Sequence, residues 1–595
     1  MSSRFPSRAR ILAALFGAAL SAASPSASAD TLQTQSELSG FVRTGRYAEV
    51  GELCERFARR YPQWVRCLQF GVTPEGRKMH ALAVSTGSRL TPQAAQAARI
   101  PVVLAQGAIH AGEIDGKDAG FLWLREILAD GKRRAVLENQ ILLFVPVFNP
   151  DGHERFGRWS RPNQRGPEQM GWRVTAQNIN LNRDYAKAES AEMAAMLRLV
   201  REWDPLIYID MHVTNGAQFQ HDISVQIEPV HASDAGLQEI GRSMQNGAME
   251  RLRQQGSLPL PFYMEFQETD QPASGFADNL PPPRFSHGYF HLRNRFGVLV
   301  ELHSWKEYPY RVKVMRNALD AILQQSAQDG RKWLQEARAA DVRASQLGGK
   351  PVALTYRTSE ASRMIDFQGY AYSHSKSDIS GATMVRYDET RPQVWRVPLR
   401  EQIEVQNSIA APRAGYLIPQ AWAAIIAPKL DLHGIQYQRA ARAGSATLLA
   451  WRASEFSFSK DSSEGRQRLE AKGEWRSETQ SWPAGSLYVP INQPKARLIV
   501  ALLEPGAPDA FLAWGYFNIA FEKKEYMESY VAEEVAQNML AADPALRAAF
   551  AEKLRDPQFA ADPHARLAFF ASRHPSYDAR WKLYPVLRLE QPLEQ

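Results

Sequence analysis

Between residues 71 and 340 the apolar positions fall into two textures. Short continuous runs at 100–105, 141–147, 206–210 and 297–301 are rich in valine, isoleucine and leucine. Runs of this kind suit strands covered on both faces. Between them, 119–130, 190–203 and 234–254 read as helices. Strand and helix in alternation predict an α/β fold, with a mixed, largely parallel central sheet flanked by helices. Residues 311–340 read as a closing helix, with Met315, Ala318, Leu319, Ile322 and Leu323 on one apolar face. Ahead of this module, residues 30–70 read as helical, a segment ending at Tyr61 and Pro62.

The texture changes after Gly348, Gly349 and Pro351. Short alternating runs separated by Gly, Pro, Asp and Ser predict a β-rich accessory region over 344–490. Residues 491–595 return to mixed strand and helix, including a helical stretch over 526–540. With 595 residues the chain exceeds the roughly 250–300 residues at which single cores stop growing. The reading is therefore a core module at 30–343 followed by two further segments.

Residues 1–29 read as a secretory signal. Arg4, Arg8 and Arg10 precede a short apolar run over 11–20, and Ala27, Ser28 and Ala29 form a small-residue cleavage site. The run is shorter than the ~20 apolar residues of a membrane-spanning helix. The expectation is an exported chain, periplasmic or secreted, with no transmembrane segment once mature. The net charge of +7 loses those three arginines and falls to about +4. No block of Lys or Arg stands out, so nothing points to nucleic acid. Cys54 and Cys67 are the two cysteines. An exported chain meets an oxidising compartment, which permits a disulfide; two buried free thiols are the alternative.

The chemistry-bearing residues sit at the ends of the apolar runs. Gly107 to Glu113 carries His110 and Glu113 three apart, after one strand and before a helix. His212 ends a second strand and Glu301 a third. In open α/β sheets ligands gather at the carboxyl ends of strands. Catalytic zinc takes three protein ligands and leaves a position for water, and His₂Glu is one such set. A carboxylate at a strand end is costly unless it faces a cleft, and it is a natural base for the water. His303 shares a face with Glu301 and is read as a neighbour of the site, not a ligand. Asn182 and Arg183, preceded by Asn178 and Asn180, offer a charge-assisted grip on a carboxylate.

Taken in order, His110 and Glu113, Asn149 to Gly152, Asn182 and Arg183, His212 and Glu301 resemble the zinc metallocarboxypeptidase family of carboxypeptidase A, over about residues 40–335. The resemblance implies His110, Glu113 and His212 as ligands of one zinc ion. It implies Asn182 and Arg183 as the grip on a peptide's free C-terminal carboxylate, and Glu301 as general base. It further implies an arginine that polarises the scissile carbonyl, for which Arg161 is the first match and Arg165 the second. A mobile tyrosine usually precedes the catalytic Glu by some twenty residues. Tyr289, twelve before Glu301, is the candidate to cap the substrate.

The expected activity is that of an exported zinc-dependent peptidase acting at the C-terminal end of peptides. Two other readings stay open: an amide hydrolase on the same fold acting on acyl-amino acids or cell-wall peptides, and a non-catalytic binding protein.

Overall fold

The computed structural model describes residues 31–214 and 217–593; the secretory signal expected at 1–29 lies outside them. The first strands are β1 (Val65–Val72), β2 (Lys78–Val84), β3 (Val102–Gly107) and β4 (Ile141–Val145). Then come β5 (Ile207–Thr214), β6 (Ile223–Glu228), β7 (Pro259–Leu260), β8 (Phe276–Ala277) and β9 (Phe296–His303). All but β8 form one eight-stranded sheet, in the order β1-β2-β4-β3-β5-β9-β6-β7. Its centre, β4-β3-β5-β9, is parallel, with antiparallel strands on both sides. This is the mixed, largely parallel central sheet flanked by helices that the sequence predicts. The 30–70 reading needs correction. Helices span Gln35–Leu38 and Ala48–Arg60, but Val65–Val72 is strand, pairing with β2 in an antiparallel hairpin. Cys54 and Cys67 form a disulfide between the second helix and β1.

Alternate side chains of the central strands enter two different cores. Val103, Ala105, Leu142, Phe144, Ile207 and Ile209 face one core, with the helices Asp115–Ala129, Ala235–Gln254 and Tyr308–Ala344 against it. Leu104, Leu143, Val145 and Tyr208 face the other. That second core runs on without a break into Tyr416, Ile418, Leu487, Val489, Phe511 and Trp514. The C-terminal half is thus packed on one face of the eight-stranded sheet. Fully burying such side chains contributes ~1.5–3 kcal/mol each.

The C-terminal half adds β10 (Pro351–Thr358), β11 (Arg363–Lys376), β12 (Thr383–Arg400), β13 (Ile403–Ala410) and β14 (Gly415–Ile418). It continues with β15 (Gln438–Arg439), β16 (Gly444–Phe458), β17 (Leu469–Trp482), β18 (Leu487–Pro490) and β19 (Leu587–Leu589). The β11–β12 hairpin is joined to the N-terminal half by β8 pairing with β12 and by a bridge between Phe219 and Gly369. A six-stranded sheet runs β15-β18-β14-β19-β16-β17. It therefore crosses the boundary read at 490/491, because β19 slots between β14 and β16. A helix at Gln420–His433 interrupts the β-rich stretch. Its apolar side packs on the helix Ala191–Trp203 of the N-terminal half. No helix among the described residues is long and apolar enough to cross a membrane.

Candidate metal centre and peptide cleft

Strands β3, β5 and β9 lie side by side and parallel, so their carboxyl ends open at one edge. Within that register His212 is the direct neighbour of Glu301. The chain leaves β3 at Gly107 and turns back through Ala108, which holds a left-handed φ of 54°. His110 and Glu113 then face β5 before the helix begins at Asp115. Asn149 supports this turn: its N–H donates to Ala108 O at 3.2 Å, while its side chain caps Gly152 N–H at 2.9 Å. Gly112 is required, since a Cβ there would meet Arg161 Cγ and the Gly171 carbonyl at 2.5 Å.

The donor atoms of His110, Glu113 and His212 all lie within 4.8 Å of one another, and all three residues are buried. Glu113 is their centre. Its Oε1 stands 2.9 Å from His110 Nδ1 and its Oε2 3.0 Å from His212 Nδ1. The Val213 N–H donates to the same Oε2 at 3.0 Å. Behind His212, Asp210 Oδ1 is 2.8 Å from Nε2. Asp210 is fixed in turn by Ser286 Oγ at 2.6 Å and by the Gln106 amide. A carboxylate behind a ligating imidazole sets its tautomer and raises its basicity.

The electrostatics favour a cation at this point. Burial alone would raise the Glu113 carboxyl, yet His110, Arg161 and the two imidazole hydrogen bonds hold it well below the usual range. Burial would lower His212, but Asp210 and Glu301 together push it well above. Burial drives His110 down to about 4 against the pull of Glu113, while a metal would displace the proton that Asp210 and Glu301 favour on His212. Two histidines and a carboxylate converging where buried anions call for positive charge fit a zinc ion.

Glu301 faces the same space. Its Oε2 is buried without a hydrogen-bond partner among the described residues. Burial pushes its carboxyl up, with His212 opposing and Glu113 and Asp210 adding to the rise. Arg161 reaches Glu113 Oε1 at 2.8 Å and the Val213 carbonyl at 3.4 Å. The sequence reading missed Arg173, which approaches Glu113 Oε1 at 3.6 Å. Arg165, the second choice, is elsewhere. It pairs with Glu389 of the β11–β12 hairpin at 2.7 Å and lies over Trp305.

Asn182 and Arg183 sit on a short 3-10 turn, Leu181–Arg183, beside the cluster. Asn180 links the two: its Oδ1 accepts from Asn182 N–H at 3.0 Å and lies 3.2 Å from His110 Nε2. Arg183 stacks over Phe285 at 4.3 Å, and Asn182 Oδ1 is buried without a hydrogen-bond partner among the described residues. Asp184 anchors the following chain through Lys187, Ser190 and two backbone N–H groups.

Tyr289 is not brought to the site. It is fully buried in the second core, its hydroxyl 2.8 Å from His433 Nδ1 and 3.1 Å from Arg293 Nη1. The reason is local: the helix Ser286–Phe290 turns that ring under the sheet, against Tyr185. The tyrosine at the cleft is Tyr263, hydrogen-bonded to Thr214 at 3.1 Å and within electrostatic reach of Glu301, Glu113 and Arg183. It lines a cleft of about 820 Å³ shared with Asn163, Trp305 and the hairpin residues Met384 and Arg386. His303 is packed against Phe219 at 4.2 Å and is not among the clustered donors.

A model of the family described as zinc carboxypeptidase matches residues 50–380 of this chain. The chain belongs to the zinc carboxypeptidase family. Among solved structures it is similar to a metallo-carboxypeptidase from Burkholderia cenocepacia, at 15% identity over 46% of this chain and 69% of that one, with a TM-score of 0.33. It is also similar to the carboxypeptidase A from Helicoverpa armigera, at 18% identity over 50% and 74%, with a TM-score of 0.34. No curated protein matches the chain. Membership of the zinc carboxypeptidase family supports a metallopeptidase, and the His110–Glu113–His212 triad is its candidate metal centre.

Proposed function

We propose that this chain is an exported zinc metallocarboxypeptidase that releases residues from the free C-terminus of peptides. The observation that carries the reading is the convergence of His110, Glu113 and His212 beside Glu301, the register partner of His212. A zinc ion held by these three residues would supply Lewis acidity and lower the pKa of water to near 7. Glu301, its carboxyl raised by burial, takes the proton of the attacking water and returns it to the leaving amine. Arg161, lying against Glu113, stabilises the carbonyl oxygen as it becomes negative, a contribution often worth ~3–4 kcal/mol per donor. Arg183 and Asn182 hold the terminal carboxylate and so place the last peptide bond over Glu301. Tyr263, not Tyr289, closes over the released residue.

The test is elemental analysis of the purified chain beside a His110→Ala/His212→Ala variant, followed by product analysis on peptides, their C-terminal amides and acyl-amino acids. One zinc per parent chain, none in the variant, and cleavage of free-acid peptides alone is the expected result. Cleavage of acyl-amino acids only would move the chain to the amide-hydrolase reading. Bound zinc with no hydrolysis of any substrate would favour the binding-protein reading.

A further inference from the structure

The C-terminal half reaches the carboxylate grip through the turn between β16 and β17. Between β16 and β17, Ser463 and Arg466 exchange backbone hydrogen bonds at 2.8 and 3.0 Å, closing a two-residue turn. Its central residues, Glu464 and Gly465, both hold left-handed φ values of 49° and 76°. Tight turns with two such residues strongly prefer Asn-Gly, Asp-Gly or Gly-Gly. Glutamate at the first position works against the turn, and local rules broken in this way concentrate at functional sites. The turn is held in place by Arg466, which bonds Glu189 Oε1 at 2.9 Å and lies 4.1 Å over the Tyr516 ring.

Glu464 Oε2 accepts the Asn180 N–H at 2.9 Å. Asn180 is the residue whose side chain touches both His110 and Asn182. The Glu464 carboxylate thus stands beside the grip and attracts Arg183 electrostatically, with no ion pair between them among the described residues. The neighbouring cations are engaged elsewhere: Arg161 and Arg173 lie against Glu113, and Arg284 pairs with Asp509 at 3.1 Å. Glu464 is half-buried and bonded only to a neutral donor.

We propose that Glu464 is a specificity residue of this site: it receives a cationic side chain on the residue being released, while Arg183 holds that residue's carboxylate. The inference rests on the reading of Arg183 as the carboxylate grip. It gives the C-terminal half a direct part in substrate choice, because Glu464 lies outside the residues matched by the family model. The substrate class is a peptide ending in lysine, arginine or a similar diamino acid.

The experiment compares kcat and KM for peptides identical except for a last residue of Lys, Leu or Glu. A charge-assisted contact predicts a Lys-over-Leu preference in kcat/KM of about 10- to 100-fold. Glu464→Gln should bring that ratio close to one, chiefly by raising KM for the Lys peptide, and Glu464→Lys should shift preference to the Glu peptide. Glu464→Asn separates charge from structure, since Asn-Gly favours the turn yet lacks the charge; it should fold and lose the preference. A Lys-to-Leu ratio unchanged by Gln and Asn overturns the proposal. Calorimetric binding of free lysine and free leucine distinguishes it from the reading beneath it. If no peptide is cleaved but lysine binds more tightly than leucine and Glu464→Gln removes the difference, the peptidase reading falls and the role of Glu464 stands. Equal binding of both amino acids to the parent overturns the role of Glu464.

Discussion

Strands β5 and β9, which carry His212 and Glu301, are buried along their whole length. The ribbons of the C-terminal half are different: β12 and β17 are exposed over much of theirs. The first arrangement fixes side chains in a rigid, dry sheet, where electrostatic effects are strong. The second extends from that sheet and reaches its mouth at a few points, through the hairpin tip by Tyr263 and through the Glu464 turn. On the proposed reading the contrast is a division of labour, with chemistry at the buried strand ends and selection at the ribbons. The largest effect should therefore come from the buried half. Glu301→Gln should keep zinc and lower kcat by about 10²- to 10⁴-fold. Metal analysis and peptide kinetics read both quantities, and turnover within tenfold of the parent would remove Glu301 from the role of base.

Next in size is the joint between the halves. Phe367 on β11 is buried against Phe276 at 4.6 Å and Phe219 at 5.2 Å, with Trp395 stacked on it at 5.7 Å. Truncating such a ring costs about 3–5 kcal/mol. Phe367→Ala should lower the melting temperature of the whole chain in one transition, because the hairpin shares this cluster with catalytic-half residues Phe219, Phe262 and Phe276. An unchanged main transition with early loss of hairpin structure would show that the ribbon folds on its own account.

The same contrast explains what the sequence revealed. Strands buried on both faces read as unbroken apolar runs, so β3, β5 and β9 and their polar ends were legible, and the three ends fall where the fold needs them. The start of the helix at Asp115 was not. Asp115, Lys117 and Asp118 look like loop residues, yet they are buried and held by Arg311 at 2.9 Å, by Glu49 and by Thr44 at 2.6 Å, partners distant in the chain. Tyr289, only twelve residues before Glu301 where the family usually has some twenty, is turned into the core by its short helix, while Tyr263 lies beyond a two-residue strand that leaves no pattern. Arg173 was hidden in an irregular loop whose path depends on Gly112 and Gly171. The Glu-Gly turn at 464–465 was not read from the sequence, because its place beside the site depends on a pairing to residue 180.

A smaller effect is expected at the carboxylate grip. Removing one charged partner of a hydrogen bond costs about 1.5–3 kcal/mol. Arg183→Met should raise KM for free-acid peptides by about 10- to 100-fold. Equal losses on free-acid and amidated peptides would mean that Arg183 only supports the fold around Phe285.

The smallest effect concerns a buried acid of the catalytic half that has no part in the cleft. Glu192, in the first turn of the helix Ala191–Trp203, is fully buried, and neither carboxylate oxygen has a hydrogen-bond partner among the described residues. Burial pushes its carboxyl from 4.5 up to about 7, with Asp151 and Asp184 adding to the rise. The folded state therefore keeps a proton that the unfolded chain releases above pH 4.5. Stability is fully present below that pH and declines as pH rises through about 7, with a slope from this group that cannot exceed about 1.4 kcal/mol per pH unit. Glu192→Gln retains the shape and cannot ionise. Urea midpoints from pH 4.5 to 8 should show parent and variant drawing apart as pH rises, with the variant the more stable at pH 8. Parallel curves would mean that Glu192 ionises in the folded chain as readily as in water, and that this face of the sheet, beneath the C-terminal half, is less dry than its packing implies.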